Sequence, residues 1–497
     1  MTRPNILFCL ADDAGLHFSA YGCRWVDTPG FDRVAREGLR FQHAYTPSSK
    51  CAPSRACILT GRNPWQLEAA CQHQSYFPAK FTTSFEALKH AGYFTGYTQK
   101  GWAPGDPGTV DGRPRELTGT NYSAIKTTPP TNRISDNDYA ANFAAFLDDR
   151  PADTPFCFWF GCVEPHRGYE YGSGIRLGGR QPSDVDDLYQ IWPDNETVRT
   201  DLLDYGYEVE HFDRHLTRML DLLEARGELD NTVVIVTSDN GMPFPMVKGQ
   251  AYGYASRLPL AIRWPGGIRQ PGRVIDDYVA FTDFAPTFLE LADLSPAASG
   301  MQPITGRSLL PLFDSPRSGQ IDPTRNHALI GKERHDVGRP DDAGYPIRGI
   351  FRDGLLYLHN FAPDRWPAGN PETGYLNCDG SPTKTAVIQS RHDPDQHHYW
   401  QWAFGKRPAE ELFELATDPA CTHNLADDPA FTERKTTLRT QLFAELRAQE
   451  DPRMFGHGDD FDRYPVVDEA SAHFYERFQA GESLNPVWVN PTDFDSS

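Results

Sequence analysis

The chain has 497 residues, of which 39% are hydrophobic and 12% aromatic, and its formal net charge is −20. This length and composition fit a soluble globular protein with two or three domains. The acidic balance, which no basic tract offsets, argues against a nucleic-acid partner. No apolar run approaches the roughly 20 residues that span a bilayer, and nine cysteines without regular spacing indicate neither a disulfide framework nor a zinc site.

The first two-thirds of the chain alternate strand and helix patterns. Residues 5–11 (NILFCLA) form a continuous apolar run, which is typical of a buried parallel strand. Thr28 and Pro29 predict a helix to about residue 38, with Thr28 as its N-cap. The later patterns are a helix at 84–90, a strand at 93–99, a helix at 136–149, a strand at 156–163, a helix at 195–228, strands at 232–237 and 258–264, and a helix at 282–292. This alternation predicts a parallel sheet with helices on both faces.

The pattern changes after about residue 340. Residues 347–358 place Arg352-Asp353-Gly354 between two apolar runs, which predicts a β-hairpin. A strand at 411–415 and a helix at 431–450 follow, whereas residues 362–408 are rich in Pro, Gly, Asn and His and are predicted to be long loops. The predicted fold class is therefore α/β. It has a large, mostly parallel sheet sandwiched by helices in residues 1–340, and a smaller α+β domain with an antiparallel sheet in residues 341–497, which contributes to the substrate pocket.

Oxygen-bearing side chains follow two of the predicted strands. Asp12 and Asp13 come after the first strand, and Asp239 and Asn240 after the strand at 232–237. Ligands of an open α/β sheet bind at the carboxyl ends of its strands. Three carboxylates and one amide oxygen, without His or Cys, suit a hard cation such as Ca²⁺ or Mg²⁺. The alternative is that each pair is a solvated turn or a helix cap.

Residues 51–61 (CAPSRACILTG) place a cysteine before a Pro-Ser helix start. The Cβ atom of Cys51 would then lie at a helix N-terminus, where backbone N–H groups and the helix dipole favour an anion. Arg55 follows four residues later and returns to the same helix face. The alternative is a buried structural cysteine beside a surface arginine.

This segment resembles the C-x-P-S-R…T-G signature of the type I, formylglycine-dependent sulfatases of the alkaline phosphatase-like superfamily. The resemblance implies that a formylglycine-generating maturation enzyme oxidises Cys51 to Cα-formylglycine, whose hydrate is the nucleophile, and that Arg55 is catalytic. It also implies one Ca²⁺ held by the four residues named above: Asp12, Asp13, Asp239 and Asn240. The resemblance extends to residues 411–425, which look like the family's closing strand.

The same resemblance assigns catalytic roles to three further side chains. Lys100, after the strand at 93–99, resembles the strand-end lysine that binds sulfate, and His166 resembles the histidine of the family's P-H motif beside the sulfate. Lys248 corresponds to a lysine or arginine that reaches the leaving-group bridge. Taken alone, such a lysine is usually solvated and a lone histidine is usually structural.

Trp102 is a departure from the family pattern. Many sulfatases carry a histidine two residues after the strand-end lysine, where it contacts the formylglycine hydrate. Either this branch lacks that histidine, or a nearby one such as His73 substitutes for it. The departure leaves the route of proton transfer open.

The chain is therefore predicted to be a sulfatase that hydrolyses sulfate ester or sulfamate groups of a sulfated mono- or oligosaccharide. Residues 238–245 (SDNGMPFP) and 165–168 (PHRG) look most like the heparan N-sulfatase (sulfamidase) branch, which implies N-sulfoglucosamine as substrate. The alternatives are an O-sulfatase on another sulfated polysaccharide, a phosphoester or phosphonate hydrolase of the same superfamily, and a non-catalytic carbohydrate-binding protein.

Substrate choice is assigned to Glu164, Arg167 and the loop at 333–335, which includes His335, with Tyr345 and Trp366 as sugar-stacking surfaces. Ordinary surface or packing roles are the alternative. No signal peptide or membrane partner is predicted, because the chain passes from MTRP directly into an apolar strand. We expect a cytoplasmic protein if Met1 is the native start, and a periplasmic or secreted one if a signal peptide has been removed.

Overall fold

A large sheet of eight strands forms the centre of the protein, whose computed structural model describes residues 3–484, 486 and 488–494. All neighbouring strands pair in parallel, except that Leu260–Arg263 is antiparallel to both of its neighbours. The predicted α/β class with a mostly parallel sheet is thereby confirmed. In spatial order the strands are Arg273–Ala280, Leu39–Tyr45, Leu260–Arg263, Thr232–Ser238, Asn5–Ala11, Phe156–Gly161, Phe94–Gln99 and Thr120–Asn121.

Two strands at one edge of this sheet were not predicted. Leu39–Tyr45 (LRFQHAY) alternates apolar residues with Arg, Gln and His, and Arg273–Ala280 (RVIDDYVA) contains two aspartates. Strands near the edge of a sheet are buried on one face only, so every second residue can be polar. Both segments show this alternation over part of their length. The continuous apolar run that marks the central strands is therefore absent from both sequences.

The sheet is covered on both faces, and strand Asn5–Ala11 shows how. Its residues Leu7, Cys9 and Ala11 pack into one hydrophobic cluster, whereas Ile6, Phe8 and Leu10 pack into a second one. This is the two-residue period of a strand buried on both sides.

The helices are Pro29–Arg36, Cys51–Thr60, Ser84–His90, Tyr139–Asp149, Ser173–Arg176, Glu196–Ala225, Gly253–Ser256, Phe284–Leu291 and Leu310–Asp314, and then Pro382–Gln389, His397–Phe404, Thr432–Ala448, Asp460–Arg463 and Phe474–Gln479.

Thr28 occupies the N-cap position of the helix Pro29–Arg36, as predicted, but the side chain that caps this helix comes from another helix. Thr28 makes no side-chain capping bond and instead bonds Ser19. The carboxylate of Asp213, on the long helix, accepts from the backbone N–H groups of Gly30 and Phe31, both at 2.7 Å. A tertiary contact therefore supplies the cap, which no local pattern could indicate.

A second, antiparallel sheet contains His327–Lys332, Ile347–Arg352, Leu355–Asn360 and Glu410–Glu414, in that order. The predicted hairpin is confirmed, and its two turn residues have the left-handed φ values of 52° and 72° that a two-residue hairpin turn needs. The first strand lies ahead of the domain boundary expected at residue 340. The apolar side of Thr432–Ala448 packs on this sheet through Leu438, Leu442 and Leu446.

Residues 362–408 are not only loops, so that prediction was wrong in part. They contain the helices Pro382–Gln389 and His397–Phe404. The first begins at a regular N-cap, where the Ser381 side chain accepts from the backbone N–H of Lys384. The high proportion of polar residues masked this signal. Across the part of the chain that the structure describes, no helix has both the length and the apolar character to cross a bilayer.

Candidate active site

The predicted oxygen ligands meet at the carboxyl edge of the large sheet. Strands Asn5–Ala11 and Thr232–Ser238 are parallel neighbours, with Ala11 opposite Ser238, so the residues that follow them are side by side. Carboxylate oxygens of Asp12, Asp13 and Asp239 lie within 4.8 Å of one another. The backbone N–H of Asp13 donates to Asp239 Oδ1 at 3.0 Å. The fold therefore concentrates negative charge at one buried point.

Asn240 completes this acidic cluster with an unpaired oxygen. Its Nδ2 donates to Asp13 Oδ1 at 2.7 Å and to the Gly241 carbonyl at 2.9 Å. Its Oδ1 is buried and has no hydrogen-bond partner. A buried carbonyl oxygen without a partner is unfavourable, and three carboxylates in contact repel one another. This oxygen-only donor set fits a hard divalent cation.

Cys51 lies directly against the acidic cluster. It is the first residue of the helix Cys51–Thr60, and its Sγ lies 3.8 Å from Asp13 Oδ1. The side chain is 1% exposed, and burial raises the pKa of its thiol well above the ordinary value. An unmodified thiol in this position is therefore a poor nucleophile, because only the thiolate is reactive.

Arg55 and Lys100 are both held by the carboxylates of the cluster. Arg55 is fully buried and donates from Nε to Asp239 Oδ2 at 2.8 Å and from Nη2 to Asp12 Oδ1 at 3.2 Å. Lys100 Nζ donates to Asp12 Oδ2 at 2.5 Å. Burial opposes ionisation of Asp12, but the charges of Lys100 and Arg55 outweigh it and hold its pKa well below the usual range. Burial raises the pKa of Asp239 to about 7 against the charge of Arg55.

Lys248 and His166 approach the cluster from the other side. Lys248 Nζ donates to Asp13 Oδ2 and to Asp379 Oδ2, both at 2.7 Å. His166 Nε2 lies 3.7 Å from Asp13 Oδ2, and its Nδ1 is 2.7 Å from the Arg167 carbonyl. Because only an N–H can donate to that carbonyl, the bond assigns a proton to Nδ1 and leaves Nε2 facing the site.

Asp379 is a site residue that the sequence analysis missed. It comes from the segment between the last two strands of the small sheet. Burial opposes ionisation of its carboxyl group, but the charge of Lys248 outweighs burial and lowers the pKa far below the usual value. Carboxylate and imidazole atoms of Asp13, His166 and Asp379 lie within 4.8 Å of one another. Its sequence signal was only an Asp-Gly pair shortly before a helix start, without the strand end that marked the other aspartates.

Trp102 supports the helix that carries Cys51. Its Nε1 donates to the Ala52 carbonyl at 3.0 Å, and its ring packs edge-on against Phe77. His73 bonds through Nδ1 to Asp336 Oδ1 at 3.0 Å, and burial lowers its pKa to about 4. Asp336 in turn pairs with Lys50, the residue before Cys51, at 2.6 Å. His73 is thus connected to the site through an ion pair.

The residues predicted to bind substrate differ in their surroundings. Both oxygens of Glu164 are occupied, by the Ser135 N–H and the Tyr139 hydroxyl at 2.7 Å. Arg167 forms a two-pronged pair with Asp201 and lines a cleft. His335 is fully buried, with Nε2 3.0 Å from Ser48 Oγ.

Glu164 and His335 are buried and hydrogen-bonded within the protein, and their contact with substrate stays a prediction. Tyr345 is fully buried and offers no face to a sugar. The neighbouring Glu333 pairs with Arg348 and Arg453 at 2.8 and 2.6 Å, which ties the segment 333–335 into the second domain. Trp366 is partly buried.

Two cavities lie beside the acidic cluster. A large cleft of about 840 Å³ extends from His166 and Asp379 along the helix Pro382–Gln389. A smaller cavity of about 210 Å³ lies over Asp12 and Lys100. The large cleft has the size of a small-molecule site, and residues of both domains line it.

The chain belongs to the sulfatase family, whose family model matches residues 4–294. It is 30% identical over 479 residues to human N-sulphoglucosamine sulphohydrolase, a match that covers 88% of this chain and 89% of the relative. An ulvan-active sulfatase of Formosa agariphila is 27% identical over 459 residues, covering 90% of this chain and 81% of the relative. The chain is accordingly a sulfatase, and membership of this family implies dependence on formylglycine and on a metal in general.

Solved structures share the fold. One, of a protein in complex with its substrate D-glucosamine-2-N,6-O-disulfate, has a TM-score of 0.65 and 20% identity, and the match covers 93% of this chain and all of that one. A phosphonate monoester hydrolase of Agrobacterium radiobacter has a TM-score of 0.60 and 18% identity, covering 90% of this chain and 96% of that one. At these identities the likeness concerns the fold alone.

Proposed function

We propose that this sulfatase removes sulfate from a sulfated saccharide, with N-sulfoglucosamine as its leading substrate, and that Cys51 acts as formylglycine beside one Ca²⁺. The observation that carries the proposal is the position of Cys51 Sγ, 3.8 Å from Asp13 Oδ1 at the edge of the acidic cluster. The preference for a sulfamate is supported by the 30% identity to the human N-sulphoglucosamine enzyme and by the segments at 165–168 and 238–245.

The acidic cluster would hold the cation through Asp12, Asp13, Asp239 and the unpaired Oδ1 of Asn240. Four oxygen donors without sulfur or imidazole favour Ca²⁺ over Zn²⁺. When bound, the ion supplies positive charge that polarises a sulfate oxygen and increases the acidity of a neighbouring hydroxyl.

The other residues orient the sulfate and balance its charge. Formylglycine at position 51 would present a geminal diol, with one hydroxyl to attack sulfur and a second to release sulfate afterwards. Lys100 Nζ and Lys248 Nζ converge on the same buried region and can donate to sulfate oxygens. Arg55, locked onto Asp12 and Asp239, keeps the carboxylates in place.

His166 is the residue best placed to protonate the leaving atom. Its Nδ1–H is held by the Arg167 carbonyl, so only Nε2 is free to carry a second proton. Nε2 lies 3.7 Å from Asp13 Oδ2, on the side of the ring that faces the acidic cluster. The Nε2 proton would pass to the departing sugar oxygen or nitrogen as the bond to sulfur breaks. Lys248 is the alternative donor at this position.

A substrate panel tests the proposal. Enzyme coproduced with a formylglycine-generating enzyme is assayed on N-sulfoglucosamine, glucosamine 6-sulfate, an aryl sulfate and an aryl phosphate, with Cys51→Ala as the inactive control. We expect the highest kcat/KM on N-sulfoglucosamine and no turnover by the variant. Faster hydrolysis of the 6-sulfate would establish the O-sulfatase alternative, and faster hydrolysis of the phosphate would contradict the sulfatase assignment.

A further inference from the structure

Three residues line both the large cleft and the smaller cavity above Asp12 and Lys100. They are Arg133, His166 and Arg167. They therefore stand at the passage between the sulfate position and the space that the rest of a substrate would occupy. Each carries, or can carry, a positive charge.

Two of these three groups are already engaged. His166 bonds the Arg167 carbonyl and faces Asp13. The Arg167 guanidinium pairs with both oxygens of Asp201 and stacks on Tyr169 and Phe244. Its charge is balanced and its position is locked, so a ligand would have to displace Asp201 to reach it.

Arg133 is different, because its side chain is exposed and, among residues 3–484, 486 and 488–494, no partner holds its guanidinium. Its backbone is nevertheless fixed. The Arg133 N–H donates to Thr131 Oγ1 at 3.1 Å, and the nearby Ser135 N–H donates to Glu164 Oε1 at 2.7 Å. This hydrogen-bonded loop thus presents a free guanidinium to both cavities.

None of the carboxylates in the walls of the two cavities forms an ion pair with Arg133. In the wall of the smaller cavity, Glu164 bonds Ser135 and Tyr139, and Glu208 is 2% exposed. Burial and the neighbouring Glu164 raise the pKa of Glu208 well above its ordinary value. In a protein of net charge −20, a cation without an ion-pair partner at the mouth of the active site attracts an anion at that position.

The geometry points to Arg133 as a specificity-determining residue that binds a second anionic group, a sulfate or a carboxylate, on the saccharide whose sulfate is hydrolysed. The inference rests on the proposed function and extends it to substrates with two negative charges. A guanidinium suits this role because it can bind either oxyanion through two parallel N–H groups.

The test compares four substrates in wild type, Arg133→Gln and Arg133→Lys. They are N-sulfoglucosamine, N-sulfoglucosamine 6-sulfate, N-sulfoglucosamine linked to a uronic acid, and an aryl sulfate. We expect wild type to prefer a doubly charged substrate. Arg133→Gln should lower kcat/KM on that substrate about 10- to 100-fold, through KM, and on the aryl sulfate less than about twofold. Arg133→Lys should retain part of the preference, since it keeps the charge without the two-pronged geometry.

The two doubly charged substrates distinguish a second sulfate from a carboxylate as the bound group. Arg113→Gln is the matched control, because Arg113 is exposed and lies outside both cavity walls. Equal losses on all four substrates, or no loss on any, would overturn the inference while leaving the proposed function intact. Wild-type enzyme that hydrolyses none of the four would overturn both.

Discussion

The cations of the active site are paired with carboxylates of the same site. Lys100 is paired with Asp12, and Lys248 lies between Asp13 and Asp379. Such pairs are held in place because each partner, left alone, would be a buried unpaired charge. Arrangement of charge before substrate arrives is the property that electrostatic catalysis needs.

Asp379 should therefore act as a positioning residue for Lys248. We predict that Asp379→Asn lowers kcat/KM on the best sulfated substrate by about 10- to 100-fold, because Nζ loses one of its two charged partners and shifts. Asp364→Asn, an exposed position in the same domain, should leave activity unchanged. Steady-state kinetics with circular dichroism as a folding check measure the effect. Equal activity of Asp379→Asn and wild type would show that Lys248 needs only Asp13.

Trp102 should contribute to stability through its bond to Ala52. We predict that Trp102→Phe lowers the free energy of unfolding by about 1 kcal/mol, since the ring packing remains and one hydrogen bond is lost. Trp102→Ala should cost about 3–5 kcal/mol because a large buried ring is removed. Urea unfolding of the two variants tests this. If the Phe variant loses as much as the Ala variant, the indole N–H has a role beyond this bond.

Residue-level prediction succeeded where a strand end marked the position. Asp12 and Asp239 follow strands that are continuous apolar runs, and Lys100 follows the predicted strand at 93–99. The parallel order of these strands brings the three residues together. Asp379 lacks such a mark, because it reaches the site from the second domain. Glu164 also follows a predicted strand, yet its two carboxylate oxygens accept hydrogen bonds from Ser135 and Tyr139. The spacing of residues in the sequence does not indicate these tertiary contacts.

At the scale of elements, one helix is capped from outside itself. We predict that Asp213→Ala lowers the free energy of unfolding by about 2 kcal/mol or more, because two backbone N–H groups of the helix Pro29–Arg36 lose their acceptor. Asp213→Asn should lose less, since it keeps one acceptor oxygen. Asp221→Ala, an exposed change on the same long helix, is the control. Equal stabilities of Asp213→Ala and Asp221→Ala would contradict the cap.

Element prediction followed the strength of the local pattern. Residues 5–11 and 84–90 were placed at the bounds that the structure has, since the strand is continuously apolar and Thr83 and Glu86 form a regular capping box. Half-polar edge strands and the helix Pro382–Gln389 were missed. In these elements, packing against the rest of the molecule decides the structure, and the local apolar pattern is weak.

At the scale of the whole molecule, the acidic cluster joins the two central strands of the large sheet, so a bound cation should stabilise the fold. We predict a stability gain of about 3 kcal/mol when free Ca²⁺ is about 100 times its dissociation constant. Thermal unfolding with Ca²⁺ and with a chelator measures it. Asn240→Ala should reduce the gain, and Asn231→Ala, an exposed position ahead of the same strand, should not. Identical unfolding with and without Ca²⁺ would contradict the proposed ion.

The architecture as a whole was predictable because its two halves follow different local rules. Alternating strands and helices predicted the large parallel sheet, and a two-residue turn predicted the antiparallel hairpin. How the halves meet was not predictable, since buried pairs between them, such as Lys248 with Asp379, separated by 131 residues, exist only after folding.

The mass of the tryptic peptide at residues 51–55, released by cleavage after Lys50 and Arg55, shows whether Cys51 is converted to formylglycine in the active enzyme. The enzyme is coproduced with a formylglycine-generating enzyme and assayed on a sulfated sugar before digestion. We predict that an active preparation carries the aldehyde in place of the thiol at position 51. An intact cysteine there, in a preparation that still hydrolyses the sugar sulfate, would contradict it.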